Sequence, residues 1–211
     1  RRPLVHTVED LKAGYRKFRA GTYPQQAGHY DELGTGQDPD VMVIACADSR
    51  VEPAEIFAAQ PGQLFVVRNV ANLVHDCGAS DVAHSVASAV EFAVTALKVK
   101  HIVVLGHASC GGVKACLSAA DGQPIGTFIA PWVEALDHTR DQVLAANPDD
   151  SQTALEHAGI GTSLDNLMSY SFVREAVEDG NLQLHGAWFK IGPAELHWRD
   201  PETGAFAAIE A

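Results

Sequence analysis

An α/β fold with a mostly parallel central sheet is predicted by three short apolar runs and by what lies between them. Val41 to Ala45, Leu64 to Val67 and Ile102 to Leu105 are continuous hydrophobic stretches too short for helices. A strand that is apolar at every position is one buried on both faces, as strands of parallel sheets are. Between the second and third runs, residues 81–98 carry Val82, Val86, Val90, Val94 and Leu97 at helical spacing among small alanines. Strand, helix and strand then form the crossover that parallel pairing requires.

The other elements follow in chain order. Leu4, Val8, Leu11, Tyr15 and Phe18 recur at steps of four and three, with Arg16, Lys17 and Arg19 off that stripe, so the N-terminus reads as an amphipathic helical arm. Helices are expected over Trp132 to Leu144 and over Ser163 to Val177, the latter with Ser163 as its N-cap. Residues 120–131 and 145–161, rich in Gly, Pro, Asp and Asn, read as loops. Leu182, Leu184 and Gly186 alternate with polar positions, and a Gly192-Pro193 turn leads to Leu196 and Trp198, which predicts a C-terminal β-hairpin.

Composition bounds the function. The 211 residues are 46% apolar and 20% charged, show no repeat, and fit one domain over 1–211. With 27 acidic against 15 basic residues the formal charge is −12, which disfavours nucleic acid and anionic membrane surfaces as partners. No apolar run approaches the roughly 20 residues of a membrane helix. The start Arg1-Arg2-Pro3 leads into no apolar signal region, so the expected location is cytoplasmic. Four cysteines in a chain this long do not make a disulfide framework.

The chemistry-bearing residues sit just past two of the predicted strands. Cys46-Ala47-Asp48-Ser49-Arg50 follows the first, and Gly106-His107-Ala108-Ser109-Cys110-Gly111-Gly112 follows the third, about 60 residues on. Ligands of open α/β sheets bind at these carboxyl ends. His107 and Cys110, three apart, can reach one ion with Cys46 as a third ligand, and two sulfurs with one nitrogen suit Zn²⁺. A structural zinc is closed by four protein ligands, whereas three leave a position open for a water whose pKa falls to about 7. Asp48 can then accept a hydrogen bond from the nucleophile while Arg50 holds that carboxylate ionised and oriented. Gly111 and Gly112 permit close backbone approach, and their N–H groups can meet a developing oxyanion.

Cys-x-Asp-Ser-Arg followed by Gly-His-x-x-Cys-Gly-Gly resembles the signature of the β-class carbonic anhydrases. The likeness extends to Phe65-Val66-Val67-Arg68-Asn69-Val70-Ala71-Asn72, to Val90-Glu91-Phe92-Ala93-Val94, to Phe172-Val173-Arg174-Glu175-Ala176-Val177 and to Leu184-His185-Gly186-Ala187-Trp188-Phe189. It is weakest over 118–160. The resemblance implies a zinc enzyme that interconverts carbon dioxide and bicarbonate, with zinc on Cys46, His107 and Cys110 and the orienting pair Asp48 and Arg50. It also implies a bicarbonate-contacting amide at Gln37, an apolar wall at Phe65, and a pocket that Gln37, Phe65 and Phe92 complete at the interface of a homodimer or dimer of dimers.

Two positions depart from patterns in that family. Phe92 stands where plant-type members commonly carry Tyr, so a hydroxyl role there is lost. Members with an inhibitory bicarbonate site carry Trp where this chain has Val43, although Arg68 is kept; the resemblance therefore implies an open form with Asp48 paired to Arg50. Cys77 and Cys116 lack unused partners at ligand spacing and read as structural. Arg68 and Asn69 are site contacts, ties between loops or subunit contacts. Two further readings stay open on the residues alone: a hydrolase of a related linear molecule such as carbon disulfide, and a non-enzymatic, zinc-stabilised scaffold protein.

Overall fold

A computed structural model describes residues 5–79 and 84–210. It divides into two compact units, Arg1–Asp38 and Pro39–Ala211, where the sequence suggests one domain. In the first, α1 (Val8–Lys17) opens with a capping box in which Thr7 accepts from the Asp10 N–H and the Asp10 carboxylate reaches back. One π-helical turn over Phe18–Thr22 leads into α2 (Tyr23–Leu33), and Phe18, Tyr23 and Tyr30 pack ring against ring between these elements. The arm's apolar stripe, Val8, Leu11 and Tyr15, is exposed; Leu4 lies outside the described residues.

The second unit is built on a six-stranded sheet ordered β2-β1-β3-β4-β5-β6. β1 (Val41–Cys46), β2 (Leu64–Asn69), β3 (His101–His107) and β4 (Gln183–Lys190) run parallel. β5 (Glu195–Arg199) closes the expected hairpin with β4, and β6 (Phe206–Ala208) adds a further antiparallel strand. After β1 the chain moves outward through α3 (Pro53–Ile56) to β2, then returns through α4 (His84–Glu91) to β3 on the other side of β1. That reversal leaves the carboxyl ends of β1 and β3 side by side with no strand between them, which is where α/β sheets form ligand crevices.

α4 passes into a π-helical turn over Phe92–Leu97 and stops at Lys98, which is left-handed at φ 56°. Asp81 and Val82, the expected start of this helix, lie outside the described residues. From β3 the chain runs through α5 (Gly111–Ala120), α6 (Ile129–Val133), a 3₁₀ turn at Glu134–Leu136, α7 (Asp137–Ala146), α8 (Ser151–Leu167) and α9 (Ser171–Glu178) before β4.

α8 corrects two expectations. Residues 145–161 are not one loop, because Asp150 caps a helix there by accepting from the Thr153 N–H at 3.0 Å. Ser163 is not an N-cap; it lies inside that helix, fully buried, where its hydroxyl accepts from the Val74 N–H and donates to the Asn72 carbonyl. The glycines that suggested a loop are packing features: a Cβ on Gly159 would sit 3.1 Å from the Leu136 side chain. Ile129–Ala130–Pro131 likewise belong to α6 and not to the preceding loop.

One face of the sheet packs Met42, Ile44, Ile102 and Val104 against Val86, Val90, Ile160, Leu164 and Val173. Ile160 sits directly on two glycines of neighbouring strands, since a Cβ at Gly106 or Gly186 would come within 2.7 or 2.8 Å of it. The opposite face holds Val43, Ala45, Val103, Leu105 and Ala187, all buried. An open apolar groove of about 380 Å³ remains there, lined by Val41, Val43, Val103, Leu196 and Trp198.

Because Ile160 fills space that two glycines surrender, its truncation leaves a void that no neighbouring side chain can close. Ile160→Ala should cost about 2–5 kcal/mol in equilibrium denaturation with an unchanged denaturant slope. A loss under about 1 kcal/mol would show that the helix does not rest on those glycines.

Candidate metal centre

Cys46 ends β1, and β1 pairs with β3 so that Ala45 faces Leu105. Two residues further, β3 delivers His107, and the turn that follows places Cys110 at the start of α5. Strand pairing alone thus gathers three potential ligands: the Cys46, His107 and Cys110 donor atoms lie within 4.8 Å of one another, all buried. The two sulfurs are 3.9 Å apart, beyond covalent reach, and both thiols are free.

The donor chemistry fits a cation. His107 Nδ1 lies 3.0 Å from its neighbour's carbonyl, Ala108 O, which fixes the proton on that nitrogen. Its Nε2 is buried with no hydrogen-bond partner, and a buried polar atom left unpaired costs about 1–3 kcal/mol. The sulfurs share a proton: contact with Cys110 pulls the Cys46 thiol well below its usual range, while the same contact and burial push Cys110 up. A thiolate, a second thiol and a bare imidazole nitrogen make a site that a soft or borderline divalent ion would complete.

Asp48 and Arg50 stand beside this triad. The guanidinium donates from Nε to Asp48 Oδ1 at 2.9 Å and from Nη2 to Oδ2 at 2.6 Å, and the Arg50 N–H adds a third bond at 2.9 Å. These bonds, Arg50's side chain foremost, hold the Asp48 carboxyl well below the usual carboxylate range. Arg50 also donates to Ser109 O at 3.1 Å, tying the β1 loop to the β3 loop. Asp48 Oδ2 lies 3.8 Å from His107 Nε2, so the carboxylate borders the triad without belonging to it.

Arg68 resolves as a tie between loops. From the end of β2 it donates to the carbonyls of Cys46, Asp48 and Val51 at 2.9, 2.7 and 2.6 Å and pairs with Glu52. The loop that carries Asp48 is thereby pinned from beneath, while Asn69 clamps both backbone groups of Leu73. Backbone strain gathers in the same place. Ala71, Asn72 and Ser109 all have positive φ, at 65°, 49° and 58°, and each such non-glycine residue costs on the order of 1–3 kcal/mol. Ala71 uses that conformation to bring its N–H to Cys46 Sγ at 3.4 Å.

The two glycines after Cys110 differ in purpose. At Gly112 a Cβ would come within 2.6 Å of Val70 and 2.9 Å of the Ala71 Cβ, so packing excludes any side chain. At Gly111 a Cβ would meet nothing within 4 Å, and the residue is exposed in the first turn of α5, beside Cys110.

A family model described as carbonic anhydrase matches residues 41–196. The chain belongs to the β-class carbonic anhydrase family. It is 36% identical over 189 residues to β-carbonic anhydrase 5, chloroplastic, of Arabidopsis thaliana, covering 87% of this chain and 62% of that protein. The chain thus spans under two thirds of that relative's length. Among solved structures it resembles the β-carbonic anhydrase CcaA, with a TM-score of 0.89 and 30% identity over 96% of this chain and 92% of that one. It also resembles tetrameric β-carbonic anhydrases of Sordaria macrospora, with a TM-score of 0.79 and 27% identity over 95% and 98% of the two chains.

Phe65, half-buried on β2, and Phe92, exposed after α4, form a ring pair with centroids 5.9 Å apart. Gln37 is exposed in the N-terminal unit after α2. Cys116 is buried against Val133, Asp137 and Arg140, and Cys77 bonds Ser169.

Sequence reasoning missed a support on α8. Glu156, only 3% exposed, accepts from the Cys110 N–H at 2.9 Å, the Gln152 amide at 2.7 Å and the Trp188 indole at 3.1 Å. Gln152 also donates to Cys110 O at 3.0 Å, so both backbone groups of Cys110 are held by one helix. The signal is present only as Gln and Glu four apart, in a segment that composition assigns to a loop.

Removing the Glu156 carboxylate orphans three donors, each costing about 1–3 kcal/mol. Glu156→Ala should lose several kcal/mol of stability and a large share of bound metal, measured by denaturation and elemental analysis. Full metal content at unchanged stability would show that Glu156 does not hold the ligand loop.

Proposed function

We propose that this chain catalyses the reversible hydration of carbon dioxide to bicarbonate and a proton, with Zn²⁺ held by Cys46, His107 and Cys110. The carrying observation is the buried Cys-His-Cys triad with an unpartnered imidazole nitrogen, set beside a carboxylate that is locked by a guanidinium. Two sulfurs and one nitrogen are a donor set for zinc, and three protein ligands are the number found in catalytic sites. Zinc so bound supplies a water acidified to a pKa of about 7, and hence a nucleophile near neutral pH.

The chain's own residues direct that chemistry. Asp48 is ionised and already receives three N–H donors from Arg50, so toward the reactants it can only accept. It therefore binds the hydrogen of the attacking oxygen and turns the lone pair toward carbon dioxide. Arg50 acts through Asp48, fixing the carboxylate's orientation while Ser109 O fixes Arg50. Gly111, beside Cys110 and without packing constraint, offers a backbone N–H toward the oxygen of bicarbonate. A purely structural metal would have no use for this oriented carboxylate.

We also propose assembly as a homodimer or dimer of dimers. Phe65 faces Met42, four residues before Cys46 on the neighbouring strand, which is about 13 Å along the sheet. A pocket that joins Phe65, Phe92 and Gln37 to the metal would draw them from a second copy. The exposed α1 stripe and the apolar groove on the open sheet face are surfaces that such a copy would cover.

Two substitutions separate the roles. Cys46→Ser should lose most of the zinc and the activity together. Asp48→Asn should retain zinc by elemental analysis while carbon dioxide hydration falls at least about a hundredfold, the scale of a lost positioned proton acceptor. Unchanged turnover in folded Asp48→Asn, or full zinc in Cys46→Ser, would contradict the assignment.

A further inference from the structure

A cavity of the second unit lies away from the metal centre. It occupies about 660 Å³ between α7, α8 and the turn joining β5 to β6, a size that suits a small metabolite. Arg199, at the end of β5, reaches into it through a slot made by three glycines. Gly186 on the facing strand leaves room for the arginine stem, since a Cβ there would lie 3.0 Å from Arg199 Cδ. Gly204, at φ 75°, and Gly161 on α8 flank the guanidinium, with their Cβ positions 3.1 and 3.9 Å from Nη2.

This cation has no acidic group in direct contact among the described residues. Three described arginines are not fully exposed: Arg68, Arg140 and Arg199. Arg68 pairs with Glu52, and Arg140 pairs with Asp137 and Asp141. Among the described residues the Arg199 guanidinium makes no ion pair and no hydrogen bond, and Asp200, the next residue in the chain, acts on it only through space. Desolvating a guanidinium without a partner is unfavourable, and glycine at the flanking positions keeps its fork open toward the cavity. One wall is His157 stacked on Phe206 with centroids 4.2 Å apart, and His157 Nε2 is buried without a partner. Thr162 and Gln142 add polar groups, and the exposed carboxylate of Asp165 stands at the rim.

We propose that this cavity is a second, non-catalytic site that binds a small oxyanion, a carboxylate or a phosphate, bidentately on Arg199. A planar fork held by packing loses little freedom on binding, and its parallel N–H groups match two oxygens of either anion. Asp165 sets the rest of the ligand's chemistry. A carboxylate at the rim repels bare charge and accepts from a hydroxyl or amine, which favours an oxyanion that carries such a donor.

Calorimetric titration of the zinc-loaded protein with inorganic phosphate and, separately, with malate at constant ionic strength tests the site. The expected result is saturable binding of one equivalent outside the metal centre, weakened at least about tenfold in Arg199→Gln, with carbon dioxide hydration by that variant unchanged. Tighter binding of malate than of phosphate assigns the carboxylate, and the reverse assigns the phosphate. Asp165→Asn, an exposed substitution that leaves the core intact, should tighten phosphate binding several-fold by removing a like charge, and it decides the matter should Arg199→Gln fail to fold. Equal affinities in the parent and both variants would overturn the proposal, as would no saturable binding of either anion below about 10 mM.

Discussion

Everything at the metal centre depends on the parallel pairing of β1 with β3. Neither strand's loop carries three ligands, and 64 residues separate the two cysteines. Pairing brings them to 3.9 Å because the chain reverses direction across the sheet between these strands. Residues that bury the strands therefore also set the site: Val43, Ile44, Val103 and Val104 fix the register, and register fixes where Cys46 and His107 end. A slip of one residue would turn Cys46 to the opposite face and dissolve the triad.

Around that pairing the structure spends stability to hold donors in place. Three non-glycine residues sit at positive φ, an imidazole nitrogen is buried bare, and two sulfurs are forced into contact. Such costs persist only where the surroundings over-determine them. Here the surroundings are specific: Arg68 ties three carbonyls of the Asp48 loop, Glu156 and Gln152 hold Cys110 from α8, and Gly112 lets α5 close onto Val70 and Ala71. Ligation would relieve the bare nitrogen and the shared proton together, and so would couple metal binding to folding.

The strands and the ligand triad were legible in the sequence because their signals are local. Continuous apolar runs mark doubly buried strands, and His107, Cys110, Cys46 and Asp48 all lie within a few residues of strand ends. α8 was not legible, since Gly159, Gly161, Asp150 and Ser163 read as loop and cap signals until their packing is known. Glycine and serine there serve close approach to Leu136 and the 72–74 backbone. Glu156 was hidden for the same reason, its partners being 46 and 32 residues away. Ala71 carries a left-handed backbone with no glycine to announce it. Arg68 shows the limit from the other side: its residue type admitted a site contact, a tie or a subunit contact, and only three carbonyls in one direction decide for the tie.

In the proposed site two thiolate sulfurs and one imidazole hold a zinc ion with one position left open. X-ray absorption at the zinc edge of the purified, active protein tests it most directly. The expected result is one zinc per chain with two sulfurs at about 2.3 Å, one nitrogen at about 2.0–2.1 Å and a single further light atom. A shell of four sulfurs, a shell without sulfur, or full carbon dioxide hydration by protein free of metal would contradict it.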